Sequence, residues 1–369
     1  MTDSTNETLR QAALFYHEFP KPGKLEVRAT KPLANGRDLT RAYSPGVAEA
    51  CLEIKADPTT AARYTTRANL VGVVTNGSAV LGLGNIGALA SKPVMEGKAV
   101  LFKKFANIDC FDIELNESDP VKLAEIVCSL EPTFGAINLE DIKAPDCFIV
   151  EEICRKRMNI PVFHDDQHGT AIICLAGFIN ALKLTDRDVA TTKVVVNGAG
   201  AAAIATIRLL HKYGVKKENI VMCDTHGVIY KGRRWMNVYK EEFATTRPER
   251  TLHDALVGAD CFIGVSVGNA LKKDDVALMA KKPIIFAMAN PTPEISPADA
   301  KAVCPDAIVA TGRSDFPNQV NNVMCFPFLF RGTLDVRSRD INAQMKMACA
   351  LALAELARQP VPEEVSEAY

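Results

Sequence analysis

None of the 11 cysteines sits in a CxxC pair, the charges fall in no like-sign block, and no segment reads as long and apolar enough to span a bilayer. Each absence narrows what the chain can be. Scattered thiols, many inside apolar runs such as those around Cys128, Cys174 and Cys261, argue against a disulfide scaffold and for a reducing, intracellular setting. With 43 Lys and Arg against 44 Asp and Glu, the net charge of -1 gives no general pull toward nucleic acid or an anionic membrane. The opening MTDSTNETLRQAALFYHEF has neither a basic n-region nor an apolar h-region, so the expected location is the cytoplasm. A chain of 369 residues, 48% apolar and 24% charged, is expected to be a globular protein of about two domains.

What is present concentrates between Ile137 and Thr170. Two acidic pairs, Glu140-Asp141 and Asp165-Asp166, each close a short apolar run (AINL, IPVF) of the kind that forms a buried strand ending at a crevice. The intervening APDCFIVEEICRKRMN has helical rhythm, so the unit reads strand, helix, strand. A parallel crossover sets both strand ends on one sheet edge and brings Glu140, Asp141 and Asp166 together. Such a cluster calls for a cation, and oxygen-only ligation suits Mg²⁺ or Mn²⁺. His164 and His168 flank the second pair at a spacing also used by zinc sites, but a strand-to-helix turn there makes them hydrogen-bonding or packing residues.

Toward the N-terminus, a helix is expected over Thr8 to Tyr16, and in AYSPGVAEAC Pro45 opens a helix with Ser44 at its N-cap, leaving Tyr43 at the mouth. The runs Leu70 to Thr75 and Ala79 to Leu83 flank Asn76-Gly77, a hairpin signal. GLGNIG (Gly82 to Gly87) fits a dinucleotide loop only weakly, because Lys92-Pro93 should soon interrupt its helix. Lys98 lies in an apolar run; buried near a cation, it would favour the neutral amine and act as a general base. Pro120 to Leu130 reads as a helix, and GTAIICLAGFINALKL as a long buried one linking two domains.

The stronger dinucleotide site follows. A strand from Lys193 to Asn197 leads into Gly198-Ala199-Gly200-Ala201-Ala202-Ala203, of GxGxxA form, then a helix from Ala201 to Tyr213 and a strand from Ile220 to Cys223 that ends on Asp224. Asp224 stands where a ribose-binding acid belongs and favours NAD, whereas His226, Lys231, Arg233 and Arg234 close behind it could bind the extra phosphate of NADP. Later strands end in small or polar residues, making Asn290, Asn321 and Asn322 candidates for substrate contacts or for turn and cap roles. The last helix, about Asp340 to Ala357, is expected to bury its Met and Leu residues in a core or interface. The fold class is therefore α/β, with an N-terminal catalytic domain over residues 1–160, a Rossmann-type NAD(P)-binding domain over 161–358 and a linker-like tail over 359–369.

In order along the chain, YSPGVAE, GLGNIGALASKPVMEGKA, NLEDI, FHDDQHGTA, NGAGAAA, ANPTPEI and GRSDFPNQVNNV resemble the malic enzyme family, most closely its short bacterial type. The resemblance implies metal-dependent oxidative decarboxylation of L-malate to pyruvate with NADP, or NAD, as coenzyme. Matched position by position, it makes Tyr43 the general acid, Lys98 the general base, Glu140, Asp141 and Asp166 the ligands of Mg²⁺ or Mn²⁺, and Asp165 a proton relay beside them. It assigns Asn290 and Asn322, with Asn321 adjacent, to substrate, and Ala199 to Ala202 to the dinucleotide loop. Ala79 stands where long animal-type members carry a malate-binding Arg, so another cation or amide must hold the C4 carboxylate. The resemblance also implies a homodimer or larger assembly, with Lys98 reaching a neighbouring subunit's site. Hybrid members continue into a phosphotransacetylase-like domain beyond these 369 residues, so a natural short enzyme and the N-terminal part of a hybrid both stay open. Two other readings stay open: a metal-free dehydrogenase of another small hydroxy acid, and a non-catalytic NAD(P)-sensing module.

Overall fold

A computed structural model describes residues 2–80 and 82–368. Met1, Tyr369 and Leu81, which falls in the expected Ala79 to Leu83 run, lie outside the described residues. The chain begins with helices α1 (Thr2–Glu18), α2 (Gly36–Ala42), α3 (Val47–Ala56) and α4 (Ala61–Tyr64). Asn35 caps α2 through its side chain, and α3 starts at Val47 behind Gly46 with no side-chain cap, so Ser44 and Pro45 do not open it. The turn closes instead by the Gly46 N–H reaching back to the Thr40 carbonyl at 2.9 Å, and a Cβ at Gly46 would meet that carbonyl oxygen.

The unbroken apolar run LVGVVT makes β1 (Leu70–Thr75), buried at every position. Helix α5 (Ala88–Ala106) leads to β2 (Asp109–Glu114), α6 (Pro120–Ser129) to β3 (Ala136–Leu139), and α7 (Asp146–Arg157) to β4 (Val162–His164). These strands form a parallel sheet in the order β2-β1-β3-β4. The hairpin expected at Asn76-Gly77 does not form, because β2 and β3 already occupy both edges of β1 and leave no backbone for an antiparallel partner. Pro93 does not break α5 either. It sits in the second turn, where the carbonyl it leaves unpaired belongs to the exposed Leu89. Because β4 pairs with β3, this sheet runs through His164, past the expected boundary at residue 160.

Helix α8 (Asp165–Thr185) leaves β4 directly. By length and composition it could cross a bilayer, contrary to the expectation that no segment could; here it is the central core helix, buried from Ala171 through Ala176 and packed against later helices. Beyond it come β5 (Val194–Asn197), α9 (Ala201–Tyr213), β6 (Ile220–Asp224), β7 (Gly227–Val228), α10 (Val238–Glu241), α11 (Leu252–Leu256), β8 (Cys261–Gly264), α12 (Lys273–Leu278), β9 (Ile284–Ala287), α13 (Pro297–Val303) and β10 (Ile308–Thr311). The second sheet has the order β10-β9-β8-β5-β6-β7, parallel except for β7. Its order reverses at β5, which is where open α/β sheets bind ligands. Helices α14 (Phe326–Asp335) and α15 (Ala343–Leu356) close the core, and the expected linker carries a short helix, α16 (Glu363–Ala368).

Candidate active site

The first sheet delivers its acids to one place. Glu140 and Asp141 follow β3, and Asp165 and Asp166 open α8 at the end of the neighbouring parallel β4, so both pairs emerge at the same sheet edge. Glu140, Asp141 and Asp166 each offer an oxygen, all within 4.8 Å of one another. Asp141 holds a left-handed backbone (φ 54°), a conformation that costs energy in a non-glycine residue, and its N–H donates to Asp166 Oδ2 at 2.8 Å. The donors are hard oxygens, which fits Mg²⁺ or Mn²⁺ and not a soft metal. Zinc between the histidines is not supported: His168 Nε2 pairs with Glu151 Oε1 at 2.7 Å, while His164 is fully buried in the strand.

Lys98, on α5, lies among these acids. Its Nζ is 2.6 Å from Asp165 Oδ2 and 2.9 Å from Glu140 Oε1, both in its own chain. Burial alone would pull its pKa down; Asp165, Glu140 and Asp166 outweigh that and hold it up as an ammonium. With Lys98 as the cation among these acids, the charged amine is favoured over the neutral one expected of a general base. Burial pushes the Glu140 and Asp165 carboxyls up against the opposing pull of Lys98, and the neighbouring acids add to the rise. Asp165 Oδ1 and Asn138 Oδ1, buried among these acids, make no hydrogen bond.

Lys98 and the acid triad line a cavity of about 660 Å³ together with Ala202, Asn290, Asn321 and Asn322. On the dinucleotide side, Gly198 has φ 129°, and a Cβ there would meet the Val265 carbonyl, so only glycine fits. Gly200 caps α9, Ala201 begins it, and Ala199 is half-buried beside them. Asn197 donates to Ser266 Oγ at 2.9 Å across the switch point. Asp224 ends β6 and pairs with Arg233 and with Lys240, the latter a residue sequence reasoning passed over.

Not every expected residue is there with its side chain free. Asn321 spends its side chain on the chain itself, donating to the Gly312 carbonyl and accepting from the Val323 N–H, which makes it a cap. Tyr43 is 72% exposed and is not on the cavity wall. Two unforeseen residues are there instead, Tyr16 and Lys24. Lys24 is a largely buried lysine that donates from Nζ to the Pro93 carbonyl at 2.9 Å and lies 3.9 Å from Glu96. Its partners are some 70 residues away, so no local pattern could have marked it.

Residues 22–123 match the profile of the malic enzyme N-terminal domain, and residues 167–366 that of the malic enzyme NAD binding domain. The chain belongs to the malic enzyme family. It is 60% identical to an NADP-dependent malic enzyme of Haemophilus influenzae over 98% of this chain and 48% of that protein. It is 58% identical to an NAD-dependent malic enzyme of Rhizobium meliloti over 97% of this chain and 47% of that one. The chain thus spans about half the length of these curated relatives. Among solved structures it is similar to an NAD-dependent malic enzyme from Thermotoga maritima, with a TM-score of 0.89 and 47% identity over 95% of this chain and 93% of that one.

Proposed function

We propose that the chain converts L-malate and NADP⁺ to pyruvate, CO₂ and NADPH in the presence of Mg²⁺ or Mn²⁺. One observation carries this reading: the acid triad and Lys98 share a single cavity with Ala202 of the dinucleotide loop. Glu140, Asp141 and Asp166 would hold the cation, which would supply Lewis-acid polarisation of the substrate oxygens, and Gly198 to Ala203 would hold the dinucleotide, whose nicotinamide would supply the hydride acceptor. Lys98 Nζ, at 2.6 Å from Asp165, is suited to accept the hydroxyl proton and pass it to that carboxylate. It can release its own proton only when a second positive charge shares the acids that now hold it up. Asn290 and Asn322 orient the substrate, and Lys24 supplies the cation for the C4 carboxylate that Ala79 cannot.

We assign Tyr43 to the site of a second copy. Helices α2, α3 and α4 bury no residue, and they present Leu39, Tyr43 and Leu52 to the exterior. An apolar surface of this kind is what a homodimer covers. The 11 free thiols support a cytoplasmic setting.

The test is NADP⁺ reduction with L-malate and Mn²⁺, with and without EDTA, with pyruvate assayed in parallel. Pyruvate formed only with the metal is the expected result. Turnover indifferent to EDTA would indicate a metal-free dehydrogenase, and NADP⁺ binding without turnover would indicate a sensing module.

A further inference from the structure

Helix α8 opens on two acids without a side chain to cap it. His164, at the N-cap position, gives the first turn no side-chain hydrogen bond, so its leading N–H groups lack the usual anchor. At about 100° per residue, Gln167 and His168 fall on the face of that turn roughly opposite Asp165 and Asp166. One side chain takes hold of both. Glu151, buried on α7, accepts from Gln167 Nε2 at 3.2 Å through Oε2 and pairs with His168 Nε2 at 2.7 Å through Oε1.

Burial pushes the Glu151 carboxyl up, but His168 and then Lys346 outweigh it and hold the group down at about 2. At neutral pH the carboxylate therefore only accepts, and the shared hydrogen sits on His168 Nε2. Helix α7 is itself fixed one turn further on, where Arg155 donates from Nε and Nη2 to Asp340 at 2.8 to 3.1 Å. Outside the contact lies a cavity of about 730 Å³, lined by Glu151, Gln167 and His168 with the exposed Arg155 and Arg339. With a cavity there in place of a packed layer, the hydrogen bonds are what restrain the turn on this side.

A rotation of α8 by about 10° would carry an atom roughly 5 Å from its axis through about 1 Å. Mg²⁺ demands its oxygens at about 2.0–2.1 Å in near-octahedral geometry, which a shift of that size breaks. We propose that Glu151 is a positioning residue of the metal site: through Gln167 and His168 it fixes the rotation of the first α8 turn, and with it where Asp166 meets the ion and Asp165 meets Lys98. The inference rests on the reading of Glu140, Asp141 and Asp166 as the metal ligands. It gives the hydrogen bond of His168 a purpose at the site, although His168 itself faces away from the acids.

The experiment is titration of the whole chain with Mn²⁺ in the absence of malate and coenzyme, with the free ion read by electron paramagnetic resonance. Glu151→Ala should weaken Mn²⁺ binding about tenfold or more, as loss of an outer contact typically does, and His168→Leu should do the same from the other side of the bond. The double variant should be no weaker than the worse single, because both remove one contact. Glu151→Gln can still bridge the two side chains once the Gln167 amide turns over, and should restore most of the affinity. Asp340→Asn loosens α7 without touching the bridge and should leave Mn²⁺ binding unchanged. None of these variants should alter affinity for 2′,5′-ADP, the half of NADP that carries the extra phosphate. Parent-like Mn²⁺ binding in Glu151→Ala and His168→Leu, no recovery in Glu151→Gln, or an equal loss in Asp340→Asn would overturn the proposal while leaving the metal site intact. A parent chain that binds no Mn²⁺ would overturn the metal site and this proposal with it.

Discussion

Burial would strip the proton from Lys98, and the acids around it put it back. That balance depends on where the Asp165 carboxylate sits, and Gly169, one turn along α8, sets the limit. A Cβ at Gly169 would run into Asp165 Oδ1 and come within 3.1 Å of the Asn322 Cβ. Gly169→Ala should therefore push the carboxylate off Lys98. Turnover with malate should fall by about tenfold to a hundredfold, as displaced supporting contacts typically cost, while calorimetric affinity for 2′,5′-ADP stays within error. Loss of both together would mean that the helix, not the carboxylate, had moved. At this scale the acids were readable because each pair closes an apolar run and the two runs become neighbouring parallel strands. Lys24 and Lys240 were not, because hydrogen-bond partners brought from other elements leave no periodicity behind them.

Helices and strands obeyed local rules except where a neighbour overrode them. Asn76-Gly77 is good hairpin chemistry beside a strand whose two edges are already taken. The sharper case is α15, whose buried stripe is Lys346, Ala350 and Ala354, while Leu351 and Leu356 stay exposed. Small residues at this spacing let the helix approach α8 closely, and spacing alone does not reveal that a lysine lies in the stripe. Burial draws the Lys346 pKa down to about 8 from 10.5; Glu151 and Asp340 oppose this and Arg155 assists it. Between those values the unfolded chain binds more protons than the folded one, so stability climbs as pH rises from about 8 to 10.5 and is lost on the way down. Lys346→Met removes the penalty. It should raise the melting temperature by about 2 °C at pH 7.5, with the advantage fading as pH approaches 10, read by calorimetry on both proteins. A constant difference across that range would exclude a buried charge as its cause.

The whole molecule joins two open sheets through one helix, and both sheets were legible as alternating apolar runs and helical segments. What one chain's sequence could not convey is that α2 to α4 build no core of their own, so that Tyr43 faces outward. If Tyr43 serves a second copy, two inactive variants should repair one another. Random pairing of Tyr43→Phe with Lys98→Ala subunits should restore about a quarter of the parent turnover, because half the dimers then hold one intact site. No recovery in mixtures shown by mass to contain mixed dimers would return Tyr43 to its own chain. The joining helix has a different consequence. The matched family segments end at residue 123 and resume at residue 167, and Glu140, Asp141, Asp165 and Asp166 all lie in the interval between them. Helix α8 starts inside that interval with two of these acids and continues as the spine of the coenzyme half. A chimera that exchanges coenzyme modules between relatives should thus be spliced after Thr185, so that the recipient keeps the whole rod; a junction at residue 167 would graft a foreign helix onto the native acids.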